Sequence, residues 1–355
     1  MLQRILRTGG KLLAALALTL FVGNLIASRT CNCPTVFDPL LGRVPKPGAR
    51  FYWKVEGNGD GIWTSNGVRR TSLPEHGSEG CLLVMGDSYT EALHVTDDEH
   101  FAHLLEKRLR ENNIQVPVLP VARSGFSVAD YVSNASLYRK LFSPGWVIIQ
   151  VGDDDFCNDA WTIGKPAGYA HFRRADDAGK LEIVNLPPQN TGLCGLANDR
   201  FPWLLPIILF MQDRENLVLA WVKDRKQPWF HAENAEESNR RTPGIQVANY
   251  PVDQEMKMLA EAYDKRVILL YLPQFDPLQP GRETENETLL RKAAQAQGIH
   301  FVSLREKFPE LAAAGQAPYG FVNTRFNAGH WNRYGHQAAA DLLFDEYQRI
   351  SHAVH

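Results

Sequence analysis

The sequence predicts an α/β fold: a doubly wound, mostly parallel five-stranded sheet flanked by helices, with an inserted helical segment. Two observations predict it. Five short, continuous apolar runs lie between residues 81 and 304, and stretches of helical spacing with polar outer faces alternate with them. Continuous Val/Ile/Leu runs suit strands covered on both faces, where a half-exposed strand would alternate instead.

The chain has 355 residues, enough for one large α/β domain with insertions and a well-buried core. A formal net charge of -2 gives no basic surface for a polyanion, so nucleic acid is not an expected partner.

Residues 1–30 read as a signal anchor. Arg4, Arg7 and Lys11 precede an apolar run, Leu12 to Ala27, interrupted only by Thr19, Gly23 and Asn24. At about 16 residues the run lies between a signal-peptide core and a comfortable transmembrane span. No Ala-x-Ala cleavage site stands out after it, and Ser28-Arg-Thr-Cys31 is a poor lipidation box, so the segment is expected to stay. Basic residues before the run hold its start in the cytoplasm and send the rest of the chain outward. The five cysteines (Cys31, Cys33, Cys81, Cys157, Cys194) cannot then all pair within one chain. The sequons at Asn134 and Asn286 matter only in a eukaryotic secretory route.

Residues 31–79 are rich in Gly and Pro, with short aromatic pieces such as Phe51-Tyr-Trp53, and read as a tether and lead-in of turns and short strands. The main domain is expected over 80–355. Its strands are expected at Cys81 to Met85, Val116 to Val121, Trp146 to Val151, Arg266 to Leu272 and His300 to Leu304, with helices over Asp98 to Asn112, Glu283 to Gln297 and Gly335 to Ile350. The interval 161–258 breaks this rhythm. It carries turn-rich sequence and two apolar stretches, Trp203 to Met211 and Leu217 to Val222, read as a helical insertion that either caps the site or packs on the core. Pro206 and its short length argue against a second membrane span.

The first strand runs into Gly86-Asp-Ser88. In an open α/β sheet the ligand site lies beyond the carboxyl ends of the strands, so Ser88 occupies the place of a nucleophile, and the amides of the following helix face any developing negative charge. A helix-capping turn is the alternative reading of the same tripeptide. A serine hydroxyl needs a base, and His330 in Asn327-Ala-Gly-His330-Trp-Asn, just before the last helix, can supply one.

Together these segments resemble the SGNH hydrolases, the GDSL-like lipase/esterase family, and among them the bacterial membrane-anchored long-chain type. The resemblance runs over roughly residues 60 to 350. It rests on Thr64-Ser-Asn-Gly-Val-Arg-Arg70, Gly86-Asp-Ser-Tyr-Thr-Glu-Ala-Leu-His-Val95, Val121-Ala-Arg-Ser-Gly125-Phe-Ser127, the block from Gly152 to Asp159, and the His330 block. It implies an esterase without cofactor: Ser88 as nucleophile, His330 as base, and an oxyanion hole built from the amides of Ser88 and Gly125 with a side chain of the third block.

Two positions depart from the family pattern. Gly152-Asp-Asp154-Asp puts Asp154 where an Asn donor is expected; a protonated Asp154, Asn158 or backbone amides alone could serve instead. The triad acid should stand two or three residues before the histidine, and Asn327 and Ala328 stand there, so the acid comes from elsewhere or the site is a Ser-His dyad. Hence a second reading from another class: a catalytically impaired or acyl-transferring relative that binds an acylated glycan or assists its export. A metal centre assembled from His94, His100, His103, His330, His336 and Asp153 to Asp155 lacks compact ligand spacing, and His100 and His103 read as part of an exposed helix start. The expected substrates are esters of an envelope glycan or of a lipid.

Overall fold

The five apolar runs form one parallel sheet in the computed structural model of the chain. The structure describes residues 2–28, 31–64, 67–70, 78–156, 168–175, 180–185, 187, 200–201, 247–324 and 327–353. Five short strands come first: β1 (Cys31–Asn32), β2 (Thr35–Asp38), β3 (Gly42–Pro45), β4 (Arg50–Trp53) and β5 (Gly59–Ile62). The main-sheet strands are β6 (Leu82–Gly86), β7 (Val118–Ala122), β8 (Trp146–Val151), β11 (Val267–Tyr271) and β12 (His300–Ser303), with β9 (Ala170–Arg174) and β10 (Leu181–Asn185) between β8 and β11. The helices are α1 (Leu2–Ala27), α2 (Ser88–Glu91), α3 (Phe101–Glu111), α4 (Val128–Ser133), α5 (Ala135–Phe142), α6 (Val252–Ala262), α7 (Glu285–Ala296), α8 (Phe308–Ala313) and α9 (Arg333–Ala353).

The sheet order is β12-β11-β8-β6-β7, and every pairing within it is parallel. In chain order this is the flavodoxin-like 2-1-3-4-5 arrangement, whose topological switch point lies between β6 and β8. Each strand falls within two residues of the run expected for it. The period of two sorts their side chains: Leu82 and Val84 enter one core with α3, α8 and α9, while Leu83 and Met85 enter the other with α4 to α7. Both faces are buried, which is why these runs are continuously apolar.

The segment from 31 to 64 folds into two small antiparallel units, β1-β4-β5 and β2-β3. In the insertion, β9 and β10 pair antiparallel. Phe172 and Leu181 turn inward, whereas Arg173 and Arg174 are exposed, so the turn-rich part of the insertion carries a hairpin, and α6 begins at Val252 near the insertion's end. The stretches Trp203 to Met211 and Leu217 to Val222 lie outside the described residues. Within α1, Thr8–Ala27 is long and apolar enough to cross a membrane, and Leu12, Leu13 and Phe21 are exposed along it. Cys81 is a buried free thiol, pushed up to about 12 by burial.

Candidate active site

Strand β6 delivers Ser88 to the switch point. Gly86 ends the strand where a Cβ would lie 2.1 Å from Thr90 Oγ1 and 2.5 Å from Gln150 Oε1, so only glycine lets the turn close on β8. Asp87 caps α2, its Oδ1 accepting from the Tyr89 amide at 2.9 Å. Its own amide donates to Gln150 Oε1 at 3.2 Å, which fastens the turn to the neighbouring strand. Ser88 is the first residue of the helix.

His330 reaches Ser88 from the loop before α9. Trp331, fully buried, pairs across a bridge with Tyr319, and Asn332 donates to the carbonyls of Ala317 and Gly320 while accepting an amide of the first turn of α9, from Tyr334. This loop sets His330 Nε2 2.8 Å from Ser88 Oγ. The ring also meets that of Tyr89, centroids 4.7 Å apart, and the Tyr89 hydroxyl donates to the Gly329 carbonyl.

The other ring nitrogen, Nδ1, lies 2.7 Å from Glu56 Oε2, and the His330 amide donates to Glu56 Oε1 at 2.8 Å. Glu56 stands on the β4-β5 turn, inside the segment read from sequence as a tether. Asn327, which holds the family's acid position in the sequence, is exposed, adopts φ 61° and donates its amide to the Tyr319 carbonyl. The sequence contained no spacing rule that could find Glu56, because this carboxylate is folded in from 274 positions away. The only signal is the turn Glu56-Gly-Asn-Gly59. A Cβ on Gly57 would lie 2.2 Å from the His94 carbonyl, and one on Gly59 2.0 Å from the Leu93 carbonyl. Asn323 clamps the same turn, accepting from the Gly57 amide and donating to the Gly57 and Lys54 carbonyls.

Burial pushes the Glu56 carboxyl up, but its hydrogen bonds to His330 and the attraction of that ring outweigh burial and hold it below the usual range. It is therefore ionised at neutral pH. Gly329 makes the approach possible: it has φ 80°, and a Cβ there would lie 2.2 Å from Glu56 Oε1. Gly329→Ala is expected to displace the carboxylate and lower kcat by about 10²-fold, with the circular dichroism spectrum unchanged. Steady-state ester turnover checks this, and wild-type kcat would contradict it.

Gly125, with φ 82°, follows Ser124, whose amide and hydroxyl both donate to Glu91 Oε2. Arg123 is fastened to the Gly86 carbonyl, and Tyr169 donates its hydroxyl to the Ser124 carbonyl at 2.8 Å. The second block is thus tied to the Gly86–Val95 block by Glu91, and to the insertion by Tyr169. Among the described residues, the Ser88 and Gly125 amides donate to no other group, which leaves them available to an oxyanion.

The three aspartates of the third block separate clearly. Asp153 accepts from the Tyr271 hydroxyl and the Asn286 side chain, and Asp155 accepts from the Gly152 amide, so both hold the loop together. Asp154 is exposed. Its charge reaches Asp87, whose carboxyl is pushed up to about 6, by burial first and with Asp154 adding repulsion. Asn158 lies outside the described residues.

In the unfolded chain the Asp87 carboxyl ionises near 3.8. The native state therefore binds its proton more tightly, a contribution to stability that is full below about pH 4 and lost as pH rises through about 6. Asp87→Asn keeps the oxygen that caps Tyr89 and removes this cost. It is expected to stabilise the protein by about 1–2 kcal/mol at pH 8 and by little at pH 4. Thermal melts at the two pH values test it; an equal or lower Tm at pH 8 would contradict it.

His100, read from sequence as exposed, is buried: it caps α3 through Nδ1 and donates from Nε2 to the Thr90 carbonyl at 2.8 Å. His103 is half-buried, its ring bonded to the Asp97 and Arg69 carbonyls. The buried His336 ring accepts from the Phe101 amide, and burial pushes it down to about 3. Arg69, of the lead-in block, pairs with Asp97 at 2.8 Å and donates to the carbonyls of Glu91, Ala92 and Val95, which fixes the loop that follows α2.

Glu56, His94 and His330 offer ligand atoms within 4.8 Å of one another. The two imidazoles, however, are stacked, centroids 3.7 Å apart and planes 23° apart. A cation in the plane of one ring lies well out of the plane of the other, unlike the in-plane bonds of about 2.0–2.1 Å that zinc forms with histidine. The arrangement fits a proton relay better than a metal centre.

No family profile matches the sequence, and no curated protein matches it. Among solved structures, the chain is similar to a catalytic mutant of Axe2, an acetylxylan esterase from Geobacillus stearothermophilus, with 14% identity, a TM-score of 0.39 and coverage of 76% of this chain and 94% of that one. It is similar to LAE5, an alpha/beta hydrolase enzyme from the metagenome of Lake Arreo, Spain, with 14% identity, a TM-score of 0.38 and coverage of 76% and 95%. It is also similar to TesA, with 13% identity, a TM-score of 0.36 and coverage of 75% and 96%. At these scores the likeness adds nothing to the fold that the sheet order itself establishes.

Proposed function

We propose that the chain is a membrane-anchored serine ester hydrolase of the SGNH type, with Ser88 as nucleophile, His330 as base and Glu56 as the acid that holds the base. The observation that carries this reading is the continuous relay Ser88 Oγ, His330 Nε2, His330 Nδ1, Glu56 Oε2, with contacts of 2.8 and 2.7 Å.

Ser88 Oγ attacks the ester carbonyl while His330 Nε2 takes its proton. The oxyanion of the tetrahedral intermediate is met by the amides of Ser88 and Gly125, at the start of α2 and after β7. Collapse breaks the bond to the alcohol, which leaves with the proton from His330 and gives an acyl-Ser88 ester. Water, deprotonated by the same imidazole, then attacks that ester and releases the carboxylic acid. Glu56 stabilises the transient imidazolium and fixes the tautomer that presents Nε2 to Ser88.

A relay with an ionised acid supports hydrolysis over the impaired-relative reading. For location, the support is the 20-residue apolar span Thr8–Ala27, mean hydropathy 1.8, preceded by Arg4 and Arg7. On this reading the catalytic domain lies outside the cytoplasm, with esters of envelope glycan or lipid as the accessible substrates and no nucleic acid among its partners. Turnover of p-nitrophenyl acetate by the full chain, and its loss in Ser88→Ala, tests the reading; turnover equal in both would overturn it.

A further inference from the structure

The turn that carries Gly125 has two possible forms, and the insertion holds it in one of them. Phe126 donates its amide to the Arg123 carbonyl at 3.0 Å, so residues 123–126 form a β-turn with Ser124 and Gly125 at its centre. Gly125 has φ 82°, whereas Ser124 is not among the residues of positive φ, which makes the turn type II. A type I turn over the same residues differs in its central peptide, which is turned over so that its carbonyl and amide exchange directions. Glycine at 125 tolerates both forms, because it has no Cβ to penalise either sign of φ.

The two ends of the turn are pinned. The Arg123 amide donates to the Gly86 carbonyl at 3.2 Å, the Ser124 amide and hydroxyl donate to Glu91 Oε2, and the Ser127 amide donates to Asp130 Oδ2 at 3.0 Å. That leaves the central peptide, and its Ser124 carbonyl accepts from the Tyr169 hydroxyl at 2.8 Å. In a planar trans peptide the C=O and N–H point opposite ways, so a carbonyl held by Tyr169 sends the Gly125 N–H away from it. Tyr169 is itself well fixed. Its ring centroid is 4.2 Å from the Arg123 guanidinium and 6.1 Å from that of Phe126, edge to face, and the next amide, of Ala170, donates to Asp130 Oδ1 at 2.7 Å. A Cβ on Gly125 would meet the same ring at 3.4 Å.

We propose that Tyr169, carried by the insertion, is a positioning residue of the oxyanion hole: its hydroxyl holds the Ser124 carbonyl and so keeps the Gly125 amide turned toward the oxyanion. This rests on the reading of Ser88 as nucleophile and of the Gly125 amide as a donor to its oxyanion. With the central peptide turned over, a carbonyl oxygen stands where the amide stood, and the hole loses a donor and gains a repelling dipole. The insertion thereby sets the competence of the site without supplying a group that touches the ester.

Ser124-Gly125 is the only Ser-Gly pair in the sequence, so one double label isolates its signal. The full chain is made by cell-free synthesis with carbonyl-labelled serine and nitrogen-labelled glycine, and studied by NMR in detergent micelles as wild type and Tyr169→Phe. The phenylalanine keeps the ring against Arg123 and Phe126 and removes the donor. In wild type the Gly125 amide proton is expected to show its strong NOE to Ser124 Hα, the contact of a type II turn. In Tyr169→Phe an NOE between the Ser124 and Gly125 amide protons should appear, the contact of type I. For p-nitrophenyl acetate, kcat should fall about fivefold, the ratio that one neutral hydrogen bond sets, with KM unchanged. An NOE pattern identical to wild type, or an unchanged kcat in an active protein, would overturn the proposal, since a ring that only packs leaves Tyr169→Phe like wild type in both. Should Tyr169→Phe not fold, Tyr169→Met supplies the donor-free arm. The NOE needs no turnover, so absence of Ser88-dependent turnover in wild type counts against the hydrolase reading, while the NOE still decides whether Tyr169 holds the peptide.

Discussion

Replacing Glu56 by Gln is expected to lower kcat for p-nitrophenyl acetate by about 10⁴-fold with little change in KM. The magnitude is that of the equivalent change in a serine protease triad, where the amide leaves the geometry in place but favours the wrong tautomer of the histidine. In the Glu56→Gln protein the oxygen of the new carboxamide can still accept from the His330 amide. Its NH₂ then faces Nδ1 and drives the ring proton to Nε2, the atom that must accept from Ser88. Stability should change little, because the Asn323 clamp and the packing of Gly57 and Gly59 on residues 93–95 involve backbone that the substitution leaves alone. Steady-state kinetics beside a thermal melt check both halves. A Glu56→Gln protein with wild-type kcat would mean that His330 works as a dyad with Ser88.

Ser88→Ala is expected to have a still larger effect, a fall in kcat on the order of 10⁶-fold. In the proposed mechanism Ser88 and His330 act as one unit, so His330→Ala should cost about as much, and the double variant should be no worse than either single one. Additive losses in the double variant would contradict a shared step. Both side chains are replaced at partly exposed positions, and their neighbours Asp87, Tyr89 and Trp331 keep their own contacts, so the three proteins should melt together.

The fold was legible where physics is local. Continuous apolar runs marked all five main strands, because strands buried on both faces carry no alternation, and polar outer faces marked α3, α7 and α9. Ser88 and His330 were visible for the same reason: each stands at a strand end or helix start with recognisable neighbours. Glu56 was not visible, because nothing in Glu56-Gly-Asn-Gly59 distinguishes a relay carboxylate from a turn; only the fold brings it to His330, and Gly329 is the partner that makes room for it. Spacing to His330 showed only that Asn327 and Ala328 occupy the family's acid position, so that any acid had to come from elsewhere; it gave no means of finding where. The β9-β10 hairpin escaped because two five-residue alternations inside a turn-rich stretch are weak signals beside the long apolar runs that follow.

The most direct test is the rate at which a fluorophosphonate labels the purified full chain, followed by intact mass and peptide mapping. The account predicts a single adduct on the peptide carrying Ser88, formed rapidly in wild type, strongly slowed in Glu56→Gln and absent in Ser88→Ala. No adduct at Ser88, or labelling as fast without the Glu56 carboxylate as with it, would contradict the claim that Glu56 and His330 activate this serine.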